Sequence, residues 1–310
     1  MTNNLPPGSG SLPPGGSGPF KRPRRMSAIL RPPTSINENL RRATLALEAG
    51  QVDAPRLTAE VLLAHVSGIS RTQILARPEQ NVPSDALAHF DRLVERAVAG
   101  EPLAYIVGHR EFYGLDFTTD ARALVPRPET ELLVDLALKG LPENARVADV
   151  GTGSGCIAIA IAVRAPTAHL TAIDISPEAL ALAQRNAQRH QVAARLTFTQ
   201  TDLLKNAARA TFNLICANLP YIATDELDTL PVVKYEPRLA LDGGPDGLAL
   251  IRHLLVDAPR VLMPQGRLLL EIGATQGKPA FALAGAFFPN ARVRLHKDLA
   301  GLDRVIEVQT

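Results

Sequence analysis

Two clusters of residues have the types and spacing to do chemistry. The first is Asp149-Val150-Gly151-Thr152-Gly153-Ser154-Gly155, followed 19 residues after Gly155 by Asp174. Glycines at alternate positions let a backbone turn sharply and let a ligand approach with no side chain in the way. The second is Asn218-Leu219-Pro220-Tyr221. An asparagine oxygen and a loop carbonyl both accept hydrogen bonds from an NH2 group. Pro220 holds Leu219 in an extended conformation, and Tyr221 offers a flat face for stacking. Together they suit a planar amide or amine nitrogen.

The glycine spacing bears on the ligand. A dinucleotide fingerprint reads G-x-G-x-x-G/A, and counting from Gly151 puts Cys156 at its third position. The pattern is instead G-x-G-x-G with an acid two residues before it. S-adenosylmethionine has no phosphate but carries an amine, which favours a carboxylate, so Asp149 is expected close to it. Asp174, at a strand end, is expected to accept both ribose hydroxyls. A nicotinamide dinucleotide, or a tight turn with no ligand, is the alternative. For Asn218–Tyr221 the alternative is an ordinary turn after a strand.

An amide nitrogen is a poor nucleophile because its lone pair is delocalised. Two acceptors on its hydrogens favour pyramidalisation as a methyl group is transferred. With a sulfonium leaving group, catalysis reduces mostly to positioning, and no strong base is required.

These clusters need a frame. From about residue 144, strands and helices alternate. Strands are predicted at Arg146–Val150, Leu170–Asp174, Arg195–Gln200, Phe212–Ala217 and Arg267–Ile272, and helices near 155–165, 177–190 and 247–260. Ser176-Pro177-Glu178 is a helix start with cap, first-turn proline and acid. Such alternation implies a mostly parallel sheet covered on both faces. Its ligand belongs at the carboxyl ends of the strands, at the switch point, where the fourth strand neighbours the first. Two further strands, near 291–296 and 303–309, suggest an antiparallel hairpin at the sheet edge.

Residues 34–100 read as a small helical bundle. Ser35 and Glu38 form a capping box, and Ile36, Leu40, Ala43 and Leu47 mark one helix face. Gly50 is expected to end that helix as a C-terminal glycine. Further helices are predicted near 55–66 and 71–76, and after Ser84 up to Gly100. Residues 101–128, with Phe112, Tyr113 and Phe117 among Gly and Asp, suggest a linking hairpin, and a helix is expected near 129–139.

Hydrophobic residues make up 46% and charged residues 21%, a balance that can bury a sizeable core. No apolar run is long enough to span a membrane. Residues 1–33 form a Pro/Gly/Ser-rich basic tail, expected to be disordered. They carry five basic residues and no acid, which leaves 28 basic against 31 acidic residues in the remainder. A net acidic remainder is a poor non-specific nucleic-acid binder. Met26 is a candidate alternative start. Cys156 and Cys216 have no CxxC partner and no metal-ligand spacing. They are read as buried filler, with no metal site and a reducing, cytoplasmic setting.

The motifs resemble class I methyltransferases whose loop is [D/N/S]-[P/L/I/V]-P-[Y/F/W], and most closely the protein glutamine methyltransferases that modify peptide chain release factors. The resemblance covers nearly all of residues 34–310. It includes Gly100–Tyr105, Arg110–Gly114, Pro126–Glu131, Asp149–Gly155, Asn218–Tyr221, Tyr235–Leu241, Asp242–Gly247 and Asp298–Arg304. It implies a Rossmann-like, seven-stranded, mostly parallel sheet at 129–310 and a helical substrate-recognition domain at 34–100. S-adenosylmethionine would lie by Gly151, Thr152, Gly153, Ser154, Gly155, Asp174, Asp202, Leu203 and Asn218. Asn218, Leu219, Pro220 and Tyr221 would hold a glutamine side chain, with Asn218, Pro220 and Tyr221 catalytic and Arg127 and Glu129 at the mouth. The implied reaction methylates the glutamine of a Gly-Gly-Gln tripeptide in a release factor; nothing in the sequence demands more than a monomer, and the charge balance predicts no stable nucleic-acid partner. Two positions depart from the family. Leu219 stands where proline is usual, and Leu203 where an aromatic residue is frequent.

Two neighbouring readings share these motifs: a ribosomal-protein glutamine methyltransferase, and a DNA adenine methyltransferase acting on a flipped base. A non-catalytic S-adenosylmethionine-binding module is a third, against which the intact Asn218–Tyr221 loop argues.

Overall fold

The computed structural model describes residues 35–310. The basic tail and Met26 lie outside the described residues. The first four helices are α1 (Ile36–Ala49), α2 (Pro55–Ser67), α3 (Arg71–Ala76) and α4 (Ser84–Val98). Ser35 and Glu38 cap α1 reciprocally. Gly50 ends α1, but at φ −81°, and the left-handed residue is Gln51 at φ +55°. Gly50 is small for another reason: a Cβ there would meet Val98 Cγ1 at 3.0 Å, so it lets the end of α4 pack close. Ile36, Leu40, Leu47, Leu62, Leu63 and Phe90 form a separate apolar core for this bundle.

After α5 (Leu103–Val107), strands β1 (His109–Phe112) and β2 (Leu115–Thr118) form the anticipated antiparallel hairpin. Phe112 and Phe117 pack edge to face and are fully buried in one apolar cluster with Leu133, Val147 and Ile159. Residues 128–130 make one turn of 3₁₀ helix that runs into α6 (Glu131–Leu138).

The main domain runs β3 (Arg146–Val150), α7 (Cys156–Arg164), β4 (His169–Asp174), α8 (Pro177–Arg189), β5 (Leu196–Gln200), β6 (Phe212–Ala217), α9 (Thr224–Leu227), α10 (Ala249–Val261), β7 (Leu262–Glu271), α11 (Gly277–Phe287), β8 (Arg292–Lys297) and β9 (Asp303–Gln309). The sheet order is β5-β4-β3-β6-β7-β9-β8. β9 enters antiparallel between β7 and β8, and β8 forms the edge. This is the seven-stranded, mostly parallel sheet of a class I methyltransferase. Two apolar clusters, one around Leu133, Ile159 and Leu214 and one around Ile215, Leu254 and Leu268, pack against it. Helix α11 carries no announcing signal, because Pro279 and Gly285 depress its propensity. Burial of Ala280 and Ala284 in the core holds it.

Order reverses between β3 and β6, so the turns that follow these two strands lie side by side. Ala217 pairs with Val150, and the next residues along are Asn218 and Gly151. Sequence spacing has thus become a shared site.

Candidate active site

A cavity of about 1130 Å³, its open mouth included, lies at these strand ends. Its wall contains Gly151, Thr152, Gly153, Ser154, Asp174, Asp202 and Leu203 from one side of the switch point and Asn218, Leu219 and Pro220 from the other. Two short segments complete it: Arg122–Arg127 with Thr130, and Pro237 with Leu239 and Ala240.

The glycine loop is held from beneath. Asp149 is fully buried, and its Oδ2 accepts from Thr152 Oγ1 at 2.6 Å and from the Ala158 amide at 3.1 Å. It therefore ties the loop to the first turn of α7 and is absent from the cavity wall. The carboxyl expected beside a ligand amine is therefore engaged by two protein donors on the buried side of the loop. Its Oδ1 has no partner, and burial raises its pKa to about 6. Gly155 lies outside the wall as well. At φ +83° its missing side chain makes room for Ile159 and Ala183, so it serves helix packing.

Asp174 accepts from the Gly153 amide at 2.9 Å and from the Ser176 amide at 3.0 Å, one bond per carboxylate oxygen. Each oxygen keeps lone pairs for a further donor. Beyond it, Leu203 sits at φ +48°, an uncommon conformation for a branched side chain.

The acceptor loop is braced on three sides. Gly151 brings the Leu219 side chain so close that a Cβ there would meet Leu219 Cδ2 at 3.0 Å. The turn at 241–244 clamps Ile222, whose amide donates to Leu241 O and whose carbonyl accepts from Gly243 N. Gln276 Nε2 donates to the Tyr221 carbonyl at 2.9 Å. Asn218 Nδ2 donates to Thr130 Oγ1 at 3.1 Å. Tyr221 is half-buried outside the cavity wall, and burial pushes its phenol up to about 12.

Three further side chains of the site gain their partners or their burial from the fold. Thr130 meets Asn218 across 88 residues. Glu236 is buried and accepts from Arg127 at 2.7 Å, joining the two segments that complete the cavity. Glu271 ends β7 fully buried, with neither oxygen hydrogen-bonded at ordinary geometry. An acid within the apolar run Leu268–Ile272 was the available sequence signal for it. Arg127 reaches the cavity as anticipated at the mouth, whereas Glu129 does not. Both cysteines are free and buried. Among the described residues no helix is long and apolar enough to cross a membrane.

Comparison with known proteins fits this geometry. Residues 38–108 match the PrmC N-terminal domain, and residues 128–234 match the methyltransferase small domain. The release factor glutamine methyltransferase of Moorella thermoacetica is 43% identical over 87% of this chain and 96% of its own. That of Nitratidesulfovibrio vulgaris is 43% identical over 86% and 92%. The Neisseria gonorrhoeae protein of the same name is 42% identical over 81% and 92%. With identity of this order over almost the full length of such relatives, the chain belongs to the release factor glutamine methyltransferase family.

Proposed function

We propose that this protein transfers a methyl group from S-adenosylmethionine to the side-chain amide nitrogen of the glutamine in a release factor's Gly-Gly-Gln motif. The observation that carries the reading is the meeting of Asn218-Leu219-Pro220 with the glycine loop and Asp174 around one cavity.

The residues present fit the cofactor. Asp174 retains acceptor capacity for a ribose diol, flanked by the apolar side chains of Ile175 and Leu203 that suit a base. Gly151 and Gly153 leave the loop backbone open to the methionine part. When bound, S-adenosylmethionine supplies an electrophilic methyl group on a sulfonium. The chain's own part is orientation. Asn218 Oδ1 and the Leu219 carbonyl accept the two amide hydrogens of the glutamine, draw electron density onto its nitrogen and aim the lone pair. Asn218 and Leu219 would thus hold the nitrogen ready for the methyl group that the bound cofactor would supply, with the surplus proton on nitrogen passing to solvent. Leu219 in place of proline keeps its carbonyl, and its buried side chain takes over the bracing against Gly151.

The substrate is a protein and not a nucleic acid, which the net acidic composition beyond residue 33 supports. The helical bundle grips the release factor, the enzyme acts as a monomer, and the buried free thiols suit the reducing cytoplasm where translation takes place. The test is incubation of the full chain with intact release factor and methyl-labelled cofactor, followed by peptide mass spectrometry. The expected result is one methyl on the Gly-Gly-Gln glutamine. Label on DNA adenine or on a ribosomal protein instead, with none on that glutamine, overturns the reading.

A further inference from the structure

Glu271 is a group that the methyl-transfer scheme leaves unused. Parallel pairing of β6 and β7 sets Ala217 beside Leu270, so the next residues along are Asn218 and Glu271. The carboxyl is wholly shielded and neither oxygen has a hydrogen bond of ordinary geometry. No salt bridge reaches it among the described residues. The nearby Arg304 is engaged by Asp298 at 3.0 Å and donates to the Ile272 carbonyl. A buried acid left this poorly compensated costs stability, and such groups cluster at functional sites.

We propose that Glu271 is a positioning residue that decides which end of the Asn218 amide faces the substrate. The inference rests on the proposed glutamine methylation for its catalytic meaning. The two ends of an asparagine amide are nearly the same shape, so packing alone does not choose between them. Thr130 alone does not choose either, since a hydroxyl both donates and accepts. An ionised carboxylate only accepts. With Glu271 ionised, the single Thr130 proton is drawn toward the carboxylate, which the Thr130 and Asn218 side chains both stabilise. The Thr130 oxygen must then accept from Asn218 Nδ2, which is the bond present at 3.1 Å. Asn218 Oδ1 is thereby left as the acceptor for the substrate NH2. With Glu271 protonated, its own O–H can donate to Thr130, Thr130 can donate to Asn218, and the amide is free to turn. It would then present NH2 to NH2.

The surroundings set where this change occurs. Burial raises the Glu271 pKa to about 7. Arg304 on β9, Thr130 before α6 and Asn218 after β6 oppose that rise, and Glu129 reinforces it. The Cys156 thiol and the Tyr221 phenol also feel its charge, and both stay protonated near neutrality.

The test compares wild type with Glu271→Gln, Thr130→Val and the double variant, each as the full chain. The first readout is the Asn218 side-chain amide resonance in ¹⁵N NMR between pH 6 and 9, which needs no activity. In wild type it is expected to move as pH passes through about 7, and in Glu271→Gln to stay put. The second readout is steady-state kinetics at pH 8.5. Glu271→Gln is expected to lose about 10²-fold in kcat, with KM for the release factor and cofactor affinity little changed. Its kcat should also lack the rise with pH expected of wild type. Thr130→Val should lose a similar factor, and the double variant no more than the worse single. A resonance that titrates unchanged in Glu271→Gln, or a variant with wild-type kcat and pH profile, overturns the inference. A wild-type enzyme that methylates no glutamine counts against the proposed function alone, because the NMR readout still decides the role of Glu271.

Discussion

Arg127 Nη2 donates to Glu236 Oε2 at 2.7 Å, and that one bond ties together two cavity-lining segments 109 residues apart. The Glu236 side chain is completely shielded, while Arg127 keeps about a third of its surface in water (35%). The Val125 amide adds a second, longer bond to the same carboxyl.

Removing the cation should therefore loosen the cavity as well as strand a buried acid. Arg127→Ala is expected to cost about 2 kcal/mol, less than a fully buried pair because water screens the arginine. Differential scanning calorimetry should show the lowered Tm. Burial already biases Glu236 toward its neutral form against the pull of Arg127. The loss should accordingly shrink at acid pH, where the carboxyl is protonated.

Asn218→Ala should separate transfer from binding. The substitution removes the proposed acceptor for the glutamine NH2 while leaving Asp174 and the glycine loop in place. A fall in kcat of roughly 10²–10³ is expected, the scale of losing one oriented hydrogen-bonding partner in a transition state. Cofactor affinity by calorimetry should change by only a few-fold. Turnover at the wild-type rate would remove Asn218 from the mechanism.

Leu203 lines the cavity from a left-handed backbone. Replacing it with phenylalanine keeps that backbone and adds a face for the adenine. Leu203→Phe is expected to tighten S-adenosylmethionine by about two- to tenfold, the value of one aromatic stack. Isothermal titration calorimetry measures it directly, and unchanged affinity would place the adenine elsewhere.

Asp149 and Glu271 are both buried acids with raised pKa values, near 6 and 7. A group whose pKa is higher folded than unfolded favours the native state while protonated. That contribution is present below the unfolded value and is lost as pH rises through the folded one. Glu271→Gln should therefore match wild-type stability near pH 4 and exceed it progressively from about pH 4.5 to about 7, then hold a constant margin. Urea unfolding across that range checks the sign. A margin that is flat or reversed would show that the carboxyl is not held neutral.

The linear sequence determined the parts whose causes are local. Caps, prolines and apolar periodicity act within a few residues, so Ser35, Ser176 and Pro177 announced their helices and four parallel strands were placed to within one residue, while β7 begins at Leu262, five residues before the expected Arg267. The glycine loop, Asp174 and Asn218–Pro220 were legible because strand ends and turn residues are themselves local features. The alternation of strand and helix then implied the switch point that brings them together. What only the tertiary structure decided depends on register and burial between distant segments. Asp149 turned inward to Thr152 and Ala158 when the loop folded over it. Helix α11 formed against its own weak propensity because its alanines found a core. Thr130 and Glu236 met their partners across 88 and 109 residues. Glu271 came beside Asn218 through the pairing of two parallel strands. Spacing along the chain carries no record of such meetings, since each follows from which strand lies next to which.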